Sequence, residues 1–146
     1  NKIVFYIGES ILISKLIDGN FPDYKRVIPK DNNNILKVNR QEFSHAVDRV
    51  STITSDKSPV IKFKLFNNLM NMSSVNSENG TATEDITTDY NGEEIEIGFN
   101  SKYILEMINN LDDSEIILNF KDSSSPVMAQ ELSNPSLVYV LMPMRV

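Results

Sequence analysis

The sequence predicts an α+β fold in which a strand–helix–three-strand unit is used twice, with two helices packed on one face of antiparallel sheet. Three observations predict it. "ILKVNRQEFSHAVDRV" (35–50) lines up with "EIGFNSKYILEMINNL" (96–111) at an offset of 61. Within the copies, Phe43, Ala46, Val47 and Val50 match Ile104, Met107, Ile108 and Leu111, at the i, i+3, i+4, i+7 spacing of one buried helix face. Each helical stretch follows an asparagine, Asn39 or Asn100, whose side chain is suited to accept an orphan N–H at a helix start. Identity between the copies is low, so the repeat rests on order and periodicity.

The elements follow in order. "KIVFYIG" (2–8) and "SILISKLI" (10–17) read as two strands joined around Gly8-Glu9. Residues 18–34, with Gly, two prolines and an Asn run, read as an extended connector and a domain boundary. Leu36 and Val38 predict a strand leading into the first helix, as Ile97 and Phe99 do for the second. After the first helix come strands at 60–65, 69–75 and 81–90, with "FNNL" (66–69) as a hairpin turn. After the second come strands at 115–120, 127–132 and 137–142, with "KDSSSP" and "SNPS" as turns.

Composition narrows the function. With 146 residues the chain can bury a real core. Its start lacks an initiator Met and a signal-peptide layout and falls inside a strand-like run, which predicts a piece of a longer chain. No apolar run reaches the roughly 20 residues that span a bilayer, so no membrane partner is expected. Cysteine is absent, which excludes disulfides and thiol chemistry within the chain and suits a reducing cytoplasm. The one histidine, His45, lies on a predicted helix with no nucleophile-elbow sequence near it. No phosphate-cradling glycine loop is present. No catalytic residue, metal or cofactor is therefore expected.

Charge is uneven: residues 1–40 carry seven Lys+Arg against four Asp+Glu, and the remainder seven against sixteen. Residues 76–96 hold seven acids and no base. This run reads either as a solvated strand pair and turn or as an edge that meets a basic partner.

Three motifs carry a resemblance. "KLIDGNFPDYKRVIPK" (15–30), "EIGFNSKYIL" (96–105) and the terminal "YVLMPMRV" (139–146) resemble the β sliding clamp of bacterial DNA polymerase III. The resemblance covers the whole chain. It implies the clamp fold, with residues 1–30 as the end of the middle domain plus connector and 31–146 as the third domain. It further implies a cytoplasmic, non-catalytic processivity factor whose full-length chains form a homodimeric ring around double-stranded DNA. Its implied partners are DNA polymerase III alpha, clamp-loader subunits and other proteins with a clamp-binding motif. A peptide- or protein-binding module that does not encircle DNA is the alternative.

Residue by residue, the resemblance implies a peptide pocket from Pro22, Arg26 and Val27 of the connector and Ser124 and Pro126 of the "SSSP" turn. Val140, Leu141, Met142, Pro143, Met144 and Arg145 of the tail complete this side of it. The physics suits the role: methionine repacks around differing ligands, and Pro143 ends the strand because it has no N–H for the ladder. The tail also reads as a core strand whose methionines fill gaps. DNA phosphates are expected at Arg49, Lys57 and Lys30, with His45 and Lys102 on the outward faces of the first and second helices. The ring interface is expected at Thr52, Ile53 and the strand holding Glu78, Gly80, Ala82 and Glu84, with Thr52 standing where some relatives have an apolar residue.

Overall fold

The computed structural model describes residues 1–20, 22–55 and 59–146. β1 (Lys2–Ile7) and β2 (Ser10–Lys15) form a separate antiparallel hairpin, turning at Gly8 with φ of 60°. Every residue of the hairpin is exposed, including Phe5, Leu12 and Ile13. Among its described residues the connector forms one 3-10 turn, Tyr24–Arg26, whose preceding Asp23 accepts a hydrogen bond from the Lys25 amide.

The rest is the repeated unit. β3 (Asn34–Asn39) leads into α1 (Arg40–Ser51), followed by β4 (Val60–Phe66), β5 (Leu69–Asn76) and β6 (Gly80–Thr87). After the short β7 (Asp89–Tyr90), β8 (Ile95–Asn100) leads into α2 (Ser101–Asn109). β9 (Glu115–Phe120), β10 (Val127–Gln130) and β11 (Val138–Leu141) complete the second copy. β3 and β8 begin and end 61 residues apart, as do the first residues of the helices. Asn39 caps α1 by accepting from the Glu42 amide, and Asn100 caps α2 by accepting from the Lys102 amide.

The two copies interlock. The five-stranded sheet runs β11-β10-β9-β3-β7 and the four-stranded sheet β6-β5-β4-β8. Each copy thus lends its first strand to the other's three. All pairings are antiparallel. One hydrogen bond recurs at both junctions. The Arg40 amide donates to the Ser114 carbonyl, and the Ser101 amide to the Pro59 carbonyl, each at 2.8 Å. The first residue of each helix is therefore tied to the residue just before the other copy's second strand.

The helices lie side by side and close one core with both sheets. All eight helix-face residues expected from the spacing are buried. Leu111 among them lies beyond the end of α2. Phe63 of β4 packs between Phe43 of α1 and Phe99 of β8, with ring centroids 5.7 and 5.3 Å apart, linking helix to both strands.

Two elements differ from expectation. The strand expected at 81–90 is two strands, β6 and β7, because the chain changes sheets at Thr88. Asn68 holds that crossing: its carbonyl accepts from the Thr88 amide, and its side chain from the Tyr90 amide. Asn67 and Asn68, with φ of 45° and 62°, form the expected tight turn. The strand expected at 127–132 stops at Gln130, because the buried Glu131 turns its carboxylate to cap the Asp112 and Asp113 amides.

Candidate functional site

The tail begins as β11, an edge strand whose Leu141 is buried in the core. Pro143 then ends the ladder. The chain crosses to the other sheet, where the Met144 amide donates to the Gly98 carbonyl of β8 at 2.8 Å. The last residues therefore bridge the exposed edges of both sheets. Met142 is left 66% exposed and Met144 half-buried.

Between this tail and α2 lies a cavity of about 570 Å³. Val140, Leu141, Met142, Pro143 and Met144 form one side. The other is α2, through Tyr103, Glu106 and Met107, with Asn100 at its start. Tyr103 is 63% exposed, which leaves a large ring at the mouth. The lining is mainly apolar with few polar groups, the composition of a site that takes a large apolar side chain and orients it by its polar neighbours.

A second cavity of about 600 Å³ opens on the other side of the tail, where Pro143, Met144, Arg145 and Val146 face Ser123, Ser124 and Glu96. The serine turn is fixed by Asp122. Its carboxylate accepts from the amides of Ser124 and Ser125 at 2.8 and 2.7 Å and from both hydroxyls at 2.9 and 2.8 Å. The Ser124 amide first, then the Ser125 and Ser124 hydroxyls, hold the Asp122 carboxyl at about 2. Pro126, half-buried, anchors the same turn to the connector: its carbonyl accepts from Asn32 Nδ2 at 2.8 Å.

The expected pocket residues are thus divided. Val140 to Met144 converge on the first cavity, and Ser124 joins Pro143, Met144 and Arg145 at the second. Pro22, Arg26 and Val27 are exposed and line neither. Sequence reasoning missed the α2 wall. Its signal was Tyr103, a large side chain on a helix face otherwise carrying Lys102, Glu106, Asn109 and Asn110.

The outer helix face is polar and balanced in charge. Arg40, Arg49 and Lys102 are matched by Glu42, Asp48 and Glu106. His45 and Lys102 are exposed on it, Lys30 is exposed on the connector, and Lys57 lies outside the described residues. Arg49 is drawn to the edge strand, where Nε donates to Glu84 Oε2 at 3.0 Å and Nη2 to Oε1. Hydrogen bonding to Arg49 lowers the Glu84 carboxyl below the usual range.

The expected interface residues lie around that edge. Among the described residues, β6 has β5 as its only neighbour in the sheet. Gly80 is exposed, and Ala82 packs partly on the core. Glu78 falls in the turn before β6, held by Asn76 Oδ1 accepting from the Glu78 and Asn79 amides. Thr52 is exposed just past α1 and Ile53 is half-buried. Among the described residues, no cluster of three or more His, Cys, Asp or Glu side chains could hold a metal, and no helix is long and apolar enough to cross a membrane.

The family model for the DNA polymerase III beta subunit, C-terminal domain, matches residues 25–145. The chain belongs to the beta sliding clamp family. It is 41% identical over 145 residues to the beta sliding clamp of Caulobacter vibrioides, covering 99% of this chain and 39% of that one. The clamp of Haemophilus influenzae is 33% identical over 145 residues, with 99% and 40% covered. Among solved structures, the polymerase III beta of Caulobacter crescentus superposes with a TM-score of 0.92 at 41% identity, over 99% of this chain and 39% of that one. A sliding clamp from Bartonella birtlesii bound to griselimycin gives 0.91 at 41% identity, with the same coverage. The chain thus spans about two fifths of the length of the clamps it matches. The interlocked repeat over two sheets is the clamp fold.

Proposed function

We propose that this chain is the C-terminal part of a replicative processivity factor. Residues 1–30 are the end of a middle clamp domain and its connector, and residues 31–146 the third domain. In the full-length protein, two such chains close head to tail into a ring around double-stranded DNA in the bacterial cytoplasm. The factor tethers DNA polymerase III alpha without chemistry of its own. The observation that carries the reading is the clamp-family repeat ending in a tail that walls an apolar cavity.

The charge-balanced helix face fits a ring that slides. Tight duplex binding is driven by neutralising phosphates, and a tether that moves needs little of it. Arg49, Lys57, Lys30, His45 and Lys102 are the residues proposed to face DNA, with Arg49 shared with Glu84. The β6 edge, with Thr52 and Ile53, is the proposed ring contact. The cavity beside α2 takes the large apolar residues of a linear peptide from the polymerase, clamp loader or other clamp-binding proteins. Pro22, Arg26 and Val27, with the preceding domain, are proposed to supply the opposite wall.

The test uses the full-length protein loaded on nicked circular DNA. It should stay on the circle through a high-salt wash and leave when the circle is cut. Release from the uncut circle at the same rate would leave a peptide-binding module that does not encircle DNA.

A further inference from the structure

We infer that Gly98 is the positioning residue for the docking tail, a glycine kept side-chain-free so that Met144 and Val146 can lie across β8. This rests on the proposed docking role for its binding consequence alone.

The backbone supplies no reason for a glycine here. The glycines at positive φ are Gly8, Gly19 and Gly80, so at Gly98 an L side chain fits the backbone. Glycine within a strand weakens it and marks a close approach by another backbone. At Gly98 that approach is the tail. The three atoms nearest to an added Cβ all belong to it: Val146 Cγ1, the Met144 carbonyl oxygen and Val146 Cβ. None belongs to the core or to a neighbouring strand. The Val146 side chain is exposed and can swing away, but the Met144 oxygen, 2.8 Å from that Cβ, is backbone. A methyl group at 98 therefore has to move the tail itself.

The consequence reaches the cavity. Gly98 does not line it, but Phe99 and Asn100, the next two residues, do. On the tail side, the Met144 amide bond to Gly98 is the first backbone anchor after the ladder ends at Leu141. That single bridge sets where Met142, Pro143 and Met144 stand relative to α2. With it broken, the wall has to be ordered by the arriving peptide, which lowers affinity without removing a contact residue.

The experiment is Gly98→Ala in the full-length protein, with three readouts. Hydrogen exchange of the Met144 amide should rise to the rate of an open tail, while amides of the β4–β8 ladder stay protected. Affinity for a fluorescein-labelled peptide carrying a glutamine and two large apolar residues should fall by about tenfold, the order expected for loss of preorganisation. Thermal midpoints should show that Gly98→Ala has no effect once residues 144–146 are deleted. A Met144 amide as protected as in the parent, with unchanged affinity, overturns the inference. So does a Gly98→Ala change that destabilises or unfolds the truncated protein as much as the intact one, because the glycine would then serve the strand. If the parent itself does not bind the peptide, the docking reading fails, while Met144 exchange and the truncation comparison still decide the role of Gly98.

Discussion

Arg49 of α1 and Glu84 of β6 form a two-pronged ion pair, Nε to Oε2 at 3.0 Å and Nη2 to Oε1, that fastens the helix to the edge strand of the four-stranded sheet. Bidentate guanidinium–carboxylate geometry is the strong form of such a pair, although exposure and salt reduce its worth. One residue expected at DNA and one expected at the ring contact are thus each other's partner. The Glu84 carboxyl is held below its ordinary value, chiefly by its hydrogen bond to Arg49. Stabilisation is therefore full above the unfolded-state pKa, about 4.3, and is lost as pH falls through the lower folded value. The thermal midpoint of Glu84→Gln should lie below the parent's at pH 7, and the gap should close in acid. A gap that persists or widens in acid would count against the pair.

Asp122 should titrate at about 2 in the folded chain, measured by NMR of its carboxyl carbon. Its unfolded value is about 3.9, so its contribution is present above that pH and disappears as pH drops through 2. Ser124→Ala and Ser125→Ala each remove a hydroxyl donor and should raise the midpoint. Ser125→Ala should raise it more, since that hydroxyl is the stronger influence.

The helix caps give matched tests. Asn39→Ala and Asn100→Ala each leave an orphan amide, Glu42 and Lys102 respectively, and should cost about 1 kcal/mol in urea unfolding. Substitution by Ser or Asp should recover most of it. Similar losses at both sites are expected from positions that play the same part in the two copies.

Tyr103→Ala should raise the peptide Kd by about tenfold, as loss of an aromatic anchor does, with little change in thermal midpoint because the ring is already exposed. An unaltered Kd would remove α2 from the site.

Much of the fold was legible because its signals are local. Apolar residues at helical spacing fixed the buried faces of α1 and α2, and Asn39 and Asn100 fixed where they start. What could not be read was exchange between copies. That β3 pairs with β9 and β8 with β4 depends on burying both helices under two sheets, and strands of either partner have the same alternation. The sheet change at Thr88 was hidden for the same reason. At the candidate site, "LMPMR" stood out through its resemblance to the clamp family, since by composition it also reads as a core strand; the α2 wall is Tyr103, Glu106 and Met107, each an ordinary helix residue until the tail is folded back beside it. Arg49 read as a DNA-facing cation, and its pairing with Glu84 had no local signal because that partner is 35 residues away on another element.

The most direct test is peptide titration of the full-length protein with and without residues 142–146. Fluorescence polarisation with the labelled glutamine-and-apolar peptide should give saturable binding to the intact protein and none to the truncation, at matched thermal midpoints. Equal affinity in the two proteins would contradict the account, because the tail would then be no part of the docking site.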